Sequence, residues 1–574
     1  MTVAEFVSTR LAAGALAVAF ASSLAQSEMF TGDCGISPSV FHVLSIVLLL
    51  GGFLVSARLL IAPIRYDIDM KLNVGLALLY YTMCFLEYGP EITFADSILL
   101  EACLCVFLSG SSSIPTRLLL AKVVIGTGLG KLLSCGLSVL SSPALKYDAL
   151  NQPFPFTTVW HLAQLPDVVV RWISVSILAS ELVLPVLLVV NTSSVGTAIL
   201  LVCLCAYYAV IGNFGWVILA LLACASRVVP DDIITLLVGE TSLRRWGYQS
   251  TAKFDIQAAE MKVIKMAKDA LLISFMLFVA TLGLSYMEDQ MHGIIHYLGP
   301  VVCIILMVAS IVKVRNSRIG LIAILACTFL FRSPFSSYLT FGNLPYVEDF
   351  SGPPTCFVFS PGALGQTVHS ATSRAGFLLQ TKYSVMGTNT VGNNLGGTRY
   401  AELSVPGSVH GDETRPPFLL GHLPRLALKL WRIGTGRSRD VEEGLKLLRW
   451  LEQCIEMGST SLRVFFTNAD DGLLDALTAN NKGNQVQSFY QPYQVTSRAA
   501  DHQWWKRSYD NVGALPTKDI AVRAPSKVCK IYLPGKIMGV QLELILLSSV
   551  LCALILRLLF SSGKTSIDSK KKSR

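Results

Sequence analysis

Three charged residues inside apolar stretches are the strongest candidates for a chemical role in this sequence. Glu101, Lys131 and Glu181 each lie in or beside an apolar run that approaches the length of a bilayer crossing. A charge at the centre of a membrane costs about 2.5–3.5 kcal/mol on insertion scales, so we expect each side chain to face the interior of a helix bundle and to have a partner there. Two interpretations follow: a Glu–Lys pair that locks helices together, or a polar groove for a client or substrate.

Motifs for familiar enzyme chemistry are incomplete. Gly126-Thr-Gly-Leu-Gly130-Lys131 is similar to a phosphate-binding loop, but it lacks the Walker spacing and lies in an apolar run, where small residues favour close helix packing. His292 and His296 are four residues apart, but the glutamate of the HExxH zinc motif is missing. The chain has no GxSxG nucleophile elbow and no CxxC pair among its 14 cysteines. We therefore predict a protein that is not an enzyme and has no cofactor and no metal.

The composition indicates that membrane helices position these residues. Of the 574 residues, 52% are hydrophobic and only 15% are charged, and the mean hydropathy is +0.54. An average soluble protein has about 25% charged residues. A simple soluble enzyme and a disordered chain are therefore excluded. The net charge of +9 is concentrated in loops beside apolar runs and in the last five residues, which is typical of topology determinants and not of nucleic-acid binding.

Hydropathy and charge predict about eleven membrane spans before residue 334. Gly212-Asn-Phe-Gly215 divides a long apolar run into two of these spans. The basic loop 240–268 and the basic turn 313–318 are expected in the cytosol, which also places the N-terminus there and the segment that follows residue 333 in a lumen. The predicted spans are 9–26, 41–62, 73–88, 97–111, 117–135, 168–190, 195–211, 215–229, 269–287, 294–313 and 319–333.

The composition changes after residue 333. Residues 334–537 are rich in Gly, Pro, Ser, Asn and Thr and contain no spanning run, so we predict a soluble lumenal domain. Local patterns predict strands at 356–359, 462–466 and 488–495 and an amphipathic helix at 441–457. Cysteines outside the spans are candidates for disulfides in an oxidising lumen, and the sequence leaves their pairing open. They are Cys34, Cys356, Cys454 and Cys529.

The predicted fold class is an all-α polytopic membrane bundle of about eleven spans plus a C-terminal span, with a lumenal, strand-containing α+β or β-rich domain. Its parts are a multi-span membrane domain (1–333), the lumenal domain (334–537), a transmembrane anchor (538–562) and a basic cytosolic tail (563–574). Lys571 and Lys572 stand at positions −4 and −3 from the end of the sequence. A dilysine there is a coat-protein-read signal for retrieval to the endoplasmic reticulum, and the alternative is an ordinary positive flank of a span.

More than ten short motifs follow one another in an order that resembles a known family. In the first 232 residues they are Thr9-Arg10-Leu11, Ala21-Ser-Ser-Leu-Ala-Gln26, Gly35-Ile-Ser-Pro38, Asp96-Ser-Ile-Leu-Leu-Glu101, Gly128-Leu-Gly-Lys131-Leu132, Tyr147 to Pro155 with Gln152 and Pro153, Trp160, Glu181 with Pro185, Gly212-Asn213-Phe-Gly215 and Asp231-Asp232. In the later part they are Arg415-Pro416-Pro417-Phe418, His422-Leu-Pro-Arg425-Leu426, Ser488 to Tyr493 and Trp504-Trp505-Lys-Arg507. This order resembles the lipase maturation factors, which are multi-span proteins of the endoplasmic-reticulum membrane.

The resemblance implies a maturation factor that helps secreted lipases fold, assemble and leave the endoplasmic reticulum. Its partners would be the lipase clients, the lipid bilayer and the coat proteins that read the tail, and no nucleic acid is expected. A membrane-embedded enzyme acting on a lipid or a protein side chain is the first alternative, with the three charged residues as its polar centre. A structural subunit of a larger membrane complex is the second.

The matched residues also have simpler structural interpretations. Asp96 is expected to cap a helix or to occupy its first turn near a membrane interface. Pro153 and Pro155 would hold their loop extended and present Trp160 either to the interfacial belt or to a client. Trp504 and Trp505 either pack in a core or contribute one exposed ring, since adjacent strand residues point to opposite faces.

Overall fold

The computed structural model is mostly helical in its first 250 residues and mixed beyond them. It describes residues 2–33, 35–62, 66–88, 94–109, 113–135, 156–190, 195–211, 215–246, 248, 373–384, 398–403, 424–426, 438–456, 485–495, 505–507, 513–514, 519–522, 536–537 and 540–560. The predicted spans 269–287, 294–313 and 319–333 and the predicted strands 356–359 and 462–466 lie outside these residues.

Helix α1 (Val3–Thr31) is the central element of the bundle. Its N-terminus has a capping box, in which the Thr2 hydroxyl accepts from the Glu5 amide and the Glu5 carboxylate accepts from the Thr2 amide. Buried residues cover all sides of α1, and most of them are alanine, serine or another small residue. Small side chains let neighbouring backbones approach closely, so α1 is packed on every face.

Helices occur at each of the eight spans predicted up to residue 229. They are α1, α2 (His42–Ile61), α3 (Tyr66–Tyr88), α4 (Phe94–Leu108), α5 (Ile114–Cys135), α7 (Asp167–Val190), α8 (Val195–Ile211) and α9 (Val217–Ser226), with the short helices α6 (Thr157–Ala163), α10 (Asp231–Val238) and α11 (Glu240–Arg245) in the connections. Helix α1 packs against α2, α3 and α9, and α5 packs against α7. The predicted break before α9 is confirmed, and Gly215 has a φ of 62°, a left-handed conformation that favours glycine.

Three of the described helices are long and apolar enough to cross a membrane. They are Val3–Thr31, His42–Ile61 and Asp167–Leu188. Shorter apolar helices lie at Ile98–Phe107, Gly196–Val210, Val217–Ser226 and Ile545–Leu554. By length and composition, the chain is therefore a mostly helical protein suited to a membrane.

A five-stranded antiparallel sheet lies within the range predicted to be a separate domain. Strands β1 (Ser373–Ser384), β2 (Thr398–Leu403), β3 (Gln485–Val495) and β4 (Trp505–Arg507) run in the order β2-β1-β3-β4, and β5 (Gly513–Ala514) also pairs with β3. The register aligns Phe377 with Tyr490. Strand β3 confirms the strand predicted at 488–495.

Helix α12 (Ser438–Glu456) confirms the amphipathic helix predicted at 441–457 and packs against β3. Leu448 and Leu451 on its apolar face are fully buried and belong to the same apolar core as Phe20 of α1. The last helix, α13 (Leu542–Phe560), follows the hairpin of β6 (Lys536–Ile537) and β7 (Val540–Gln541) and packs on α1. The later part of the chain is thus joined to the helix bundle at two places.

Candidate functional site

A buried arginine–aspartate pair links the two parts of the chain. The Arg425 guanidinium donates from Nη1 to Asp96 Oδ2 at 2.8 Å and from Nη2 to Asp96 Oδ1 at 2.7 Å. The side chains of Arg425 and Asp96 are only 4% and 0% exposed. Two parallel hydrogen bonds between a planar guanidinium and a carboxylate form the strongest ion-pair geometry available to proteins. Both oxygens of Asp96 are occupied, so this carboxylate is poorly placed to act as an acid or base.

Further polar groups from α1 and α3 complete the surroundings of Arg425. Its Nη2 also donates to Tyr80 Oη at 3.1 Å, and the Tyr80 hydroxyl in turn donates to Asp96 Oδ1 at 2.9 Å. The backbone amide of Arg425 donates to Gln26 Oε1 at 2.8 Å. Cys84 Sγ lies 3.6 Å from Nη2. The bundle therefore binds both the side chain and the backbone of residue 425.

An aromatic ring lies beside the guanidinium. The centroid of the Trp216 ring is 5.9 Å from Arg425 Cζ, which is within the range of a cation–π contact. The Trp216 indole N–H donates to the Ala95 carbonyl at 3.1 Å, and its ring meets the Tyr80 ring edge-on at 6.0 Å. This anchoring holds α9 against the start of α4. We call the group formed by Gln26, Tyr80, Asp96 and Trp216 the arginine site.

Sequence reasoning identified some members of the arginine site and missed others. Asp96 lies in the first turn of α4, as expected, and its fully buried carboxylate binds Arg425. The sequence marks Gln26 only as the end of a motif, and no pattern selects Tyr80 or Trp216. The signal that could have identified Gln26 is its position as a polar residue near the end of an apolar run. Tyr80 and Trp216 gave no signal, because aromatic residues are common in apolar helices.

Glu181 belongs to a second buried polar group between α5, α7 and α8. The Tyr208 hydroxyl donates to Glu181 Oε1 at 2.7 Å. A side chain on Gly128 would come within 2.9 Å of Glu181 Cβ, so only glycine fits at this helix crossing. Glu101 is buried in α4, and Lys131 lies in the last turns of α5, where the structure describes its backbone only. The Glu–Lys pair predicted from the sequence therefore stays a prediction, and Tyr208 is one partner of Glu181.

The other predicted residues are spread over the chain. Trp160 lies in α6 with its ring 5.2 Å from that of His161, and Trp505 pairs with Val495 at the edge of the sheet. Cys454 is buried on α12. The residues outside the described part of the chain are Gln152, Pro153, Pro155, Asn213, Arg415, Pro416, Pro417, Trp504, Lys571, Lys572, Cys34, Cys356 and Cys529.

Two further polar groups fasten the ends of the bundle helices. At one end, His42 Nε2 lies 2.9 Å from Glu28 Oε2, and His42 Nδ1 lies 2.8 Å from Thr31 Oγ1. At the other end, the Arg10 guanidinium donates to the carbonyls of Leu59 and Ala62, where α2 ends, and to that of Trp246, where α11 ends. Arg10 thus satisfies carbonyls at two helix C-termini, which have no partners within their own helices.

Among the residues that the structure describes, no group of three His, Cys, Asp or Glu side chains is close enough to hold a metal ion.

The fold and the arginine site define a mostly helical membrane protein whose later part is bound to its helix bundle through a buried ion pair. No protein-family model, curated protein or solved structure matches this chain.

Proposed function

We propose that this protein is a multi-span membrane protein of the endoplasmic reticulum that assists the folding, assembly and export of secreted lipases. The proposal rests on the motif resemblance, and one structural observation supports it. Gln26, Asp96 and Arg425 come from three different motifs of that resemblance and meet in the arginine site. They lie up to 399 positions apart in the sequence. Motifs that meet in space are expected when they specify one shared architecture.

The position of the arginine site also supports the proposed topology. In that topology, α1 and α3 end in the lumen, and α4 and α9 begin there. Gln26, Tyr80, Asp96 and Trp216 therefore all lie in the lumenal halves of their helices, and Arg425 belongs to the proposed lumenal domain. A contact between a lumenal segment and lumenal helix ends is what this arrangement requires.

Contacts at the opposite helix ends agree with the same topology. The amide of Ala4 donates to Asp231 Oδ1 at 2.8 Å, and Glu5 Oε1 lies 3.5 Å from Arg227 Nη1. These residues belong to the start of α1 and to the segment after α9, both of which are cytosolic in the proposal. These contacts therefore join helix ends that the proposal places on the same side of the membrane.

The proposed mechanism is passive binding of partly folded clients. The lumenal domain and the lumenal loop 141–167 would cover apolar surface that a folding lipase exposes and so limit its aggregation. The sequence has no recognisable ATP site, so the cycle would consist of binding and release. The tail lysines Lys571 and Lys572 would return escaped molecules through coat-protein recognition.

The decisive experiment removes the gene from cells that secrete a lipase and measures the amount and specific activity of the secreted enzyme. We expect both to fall, while a secreted glycoprotein that is not a lipase is unaffected. Reintroduction of the wild-type chain should restore both. Unchanged lipase secretion and specific activity in cells lacking the protein would contradict the proposal.

The same cells separate the two alternatives. A membrane-embedded enzyme centred on Glu101, Lys131 and Glu181 would lose activity in the variants E101Q, K131Q and E181Q while still folding and binding its client. A structural subunit would be recovered with stoichiometric partners after solubilisation, whereas a chaperone gives transient ones. A maturation factor should retain lipase rescue in any glutamine variant that folds.

A further inference from the structure

We propose that the arginine site is a binding site for an arginine within a peptide, and that residues 424–426 of this chain are its resident occupant. The site would accept the same chemistry from another polypeptide, namely an arginine at the start of a helical turn, as Arg425 is here. This proposal goes beyond the proposed function, because it does not require that the other polypeptide is a lipase.

The first argument is that receptor and ligand are separate. Gln26, Tyr80 and Asp96 lie in α1, α3 and α4, and Trp216 directly precedes α9. They are held there by bonds that do not involve Arg425, such as the one from Trp216 to the Ala95 carbonyl. The ligand comes from a segment more than 200 residues after Trp216. All the polar contacts described for Arg425 above join it to the bundle.

The second argument is that the site recognises a peptide and not only a guanidinium ion. Gln26 Oε1 accepts the backbone N–H of Arg425, and the Gln26 amide nitrogen is fixed by donating to the Ser22 carbonyl at 2.9 Å. The arginine of any other peptide carries the same backbone N–H and could make the same contact. The neighbouring residue Leu426 is 1% exposed, so an apolar side chain after the arginine is also accommodated.

The third argument is that the site distinguishes arginine from lysine. The two oxygens of Asp96 match the two Nη donors, Tyr80 Oη accepts a further bond, and the Trp216 ring lies beside the planar group. A lysine ammonium is a point charge that cannot make the paired bonds to both carboxylate oxygens and lacks the plane that an aromatic ring contacts. Arginine specificity follows from this geometry.

The resident segment would act as a competitor in the same molecule. A segment tethered to its own site has an effective concentration in the millimolar range for a flexible connection, so a peptide from another chain binds only weakly while the segment is docked. Removal of the Arg425 side chain weakens the resident and exposes the site. Substitution of Arg425 should therefore make the binding of a separate peptide measurable.

The experiment uses the full chain in detergent and the fluorescently labelled peptide acetyl-Pro-Arg-Leu-amide. We expect R425A to bind this peptide at least about tenfold more tightly than the wild type does, because its resident segment competes less for the site. The resident has lost charge-assisted hydrogen bonds, each of which contributes about tenfold or more in affinity. The double variant D96N/R425A is the matched control and should lose at least about tenfold of that affinity. A peptide with lysine in place of arginine should bind R425A as weakly as the arginine peptide binds the control.

Thermal unfolding provides the second measurement. The peptide should raise the melting temperature of R425A and leave that of D96N/R425A unchanged. If R425A does not accumulate, R425K replaces it, because lysine keeps the charge beside Asp96 but loses the paired bonds. A folded R425A or R425K that shows no Asp96-dependent peptide binding overturns the proposal. If ethylguanidinium alone raises the melting temperature of R425A while the peptide does not bind, the proposal is also overturned, because the resident backbone then never leaves the site.

Discussion

Arg425 and Asp96 are 329 positions apart in the sequence and form a bidentate ion pair with almost no exposure to solvent. Neither residue could be buried alone at low cost, because an uncompensated charge in a low-dielectric interior is strongly unfavourable. Asp96 belongs to a helix made early in synthesis, and its partner is made much later. The ion pair therefore couples the stability of the helix bundle to the later part of the chain.

The first prediction concerns the strength of this coupling. Either D96N or R425M alone should lower the free energy of unfolding by about 3–5 kcal/mol, because each leaves a buried partner uncompensated. The double variant D96N/R425M should be less destabilised than the sum of the two single variants, since it buries no charge. Chemical unfolding in mixed micelles measures all three.

The control for this cycle is the exposed pair on α11. Arg244 Nη2 and Glu240 Oε1 are 2.5 Å apart, but their side chains are 66% and 33% exposed. Exposed pairs contribute about 0–1 kcal/mol, so E240Q should change stability by less than about 1 kcal/mol. Additive effects of D96N and R425M would show that the two charges are not coupled.

Local patterns predicted the helices well, and the tertiary pairing could not be predicted. The strand at β3 and the helix α12 follow from alternation and helical spacing, which act over neighbouring residues. The sequence also marked Asp96 and Arg425 separately, as members of two motifs. Nothing in hydropathy indicates that the two meet, because an ion pair across 329 positions depends on how the helices are arranged. The same limit applies to Tyr208, which Glu181 contacts from a different helix.

The second prediction uses two adjacent glycines of α2. A Cβ on Gly52 would clash with two ring atoms of Phe20, which is itself fully buried, whereas a Cβ on Gly51 would meet no atom within 4 Å. G52A should therefore destabilise the protein by about 1–3 kcal/mol through overpacking of α2 against α1. G51A should be neutral or stabilising by up to about 1 kcal/mol, since alanine favours the helix. Melting temperatures compare the two, and equal values would show that α1 and α2 do not pack as described.

The third prediction tests the buried carboxylate of Glu181. Y208F removes the hydroxyl that donates to Glu181 at 2.7 Å and should lower the free energy of unfolding by about 1–2 kcal/mol. In the double variant E181Q/Y208F the loss should differ from the sum of the single losses, because the two residues share one bond. Cys203 lies exposed on the same helix, so C203A is the matched control and should have little effect. A Y208F variant as stable as C203A would contradict the contact.

The fourth prediction tests the side of the membrane on which the sheet domain lies. The sequence has one Asn-x-Ser/Thr sequon, Asn191-Thr-Ser193, which is cytosolic in the proposed topology and should not be glycosylated. V391T creates a second sequon at Asn389 within the range proposed to be lumenal, and we expect one glycan there. The gel shift of V391T, its reversal by endoglycosidase, and its persistence in V391T/N191Q measure this. Since the arginine site joins residue 425 to the ends of α1, α3, α4 and α9, a glycan at Asn389 would orient those four helix ends as well. A glycan at Asn191, with none at Asn389, would invert the topology and place the arginine site on the cytosolic side.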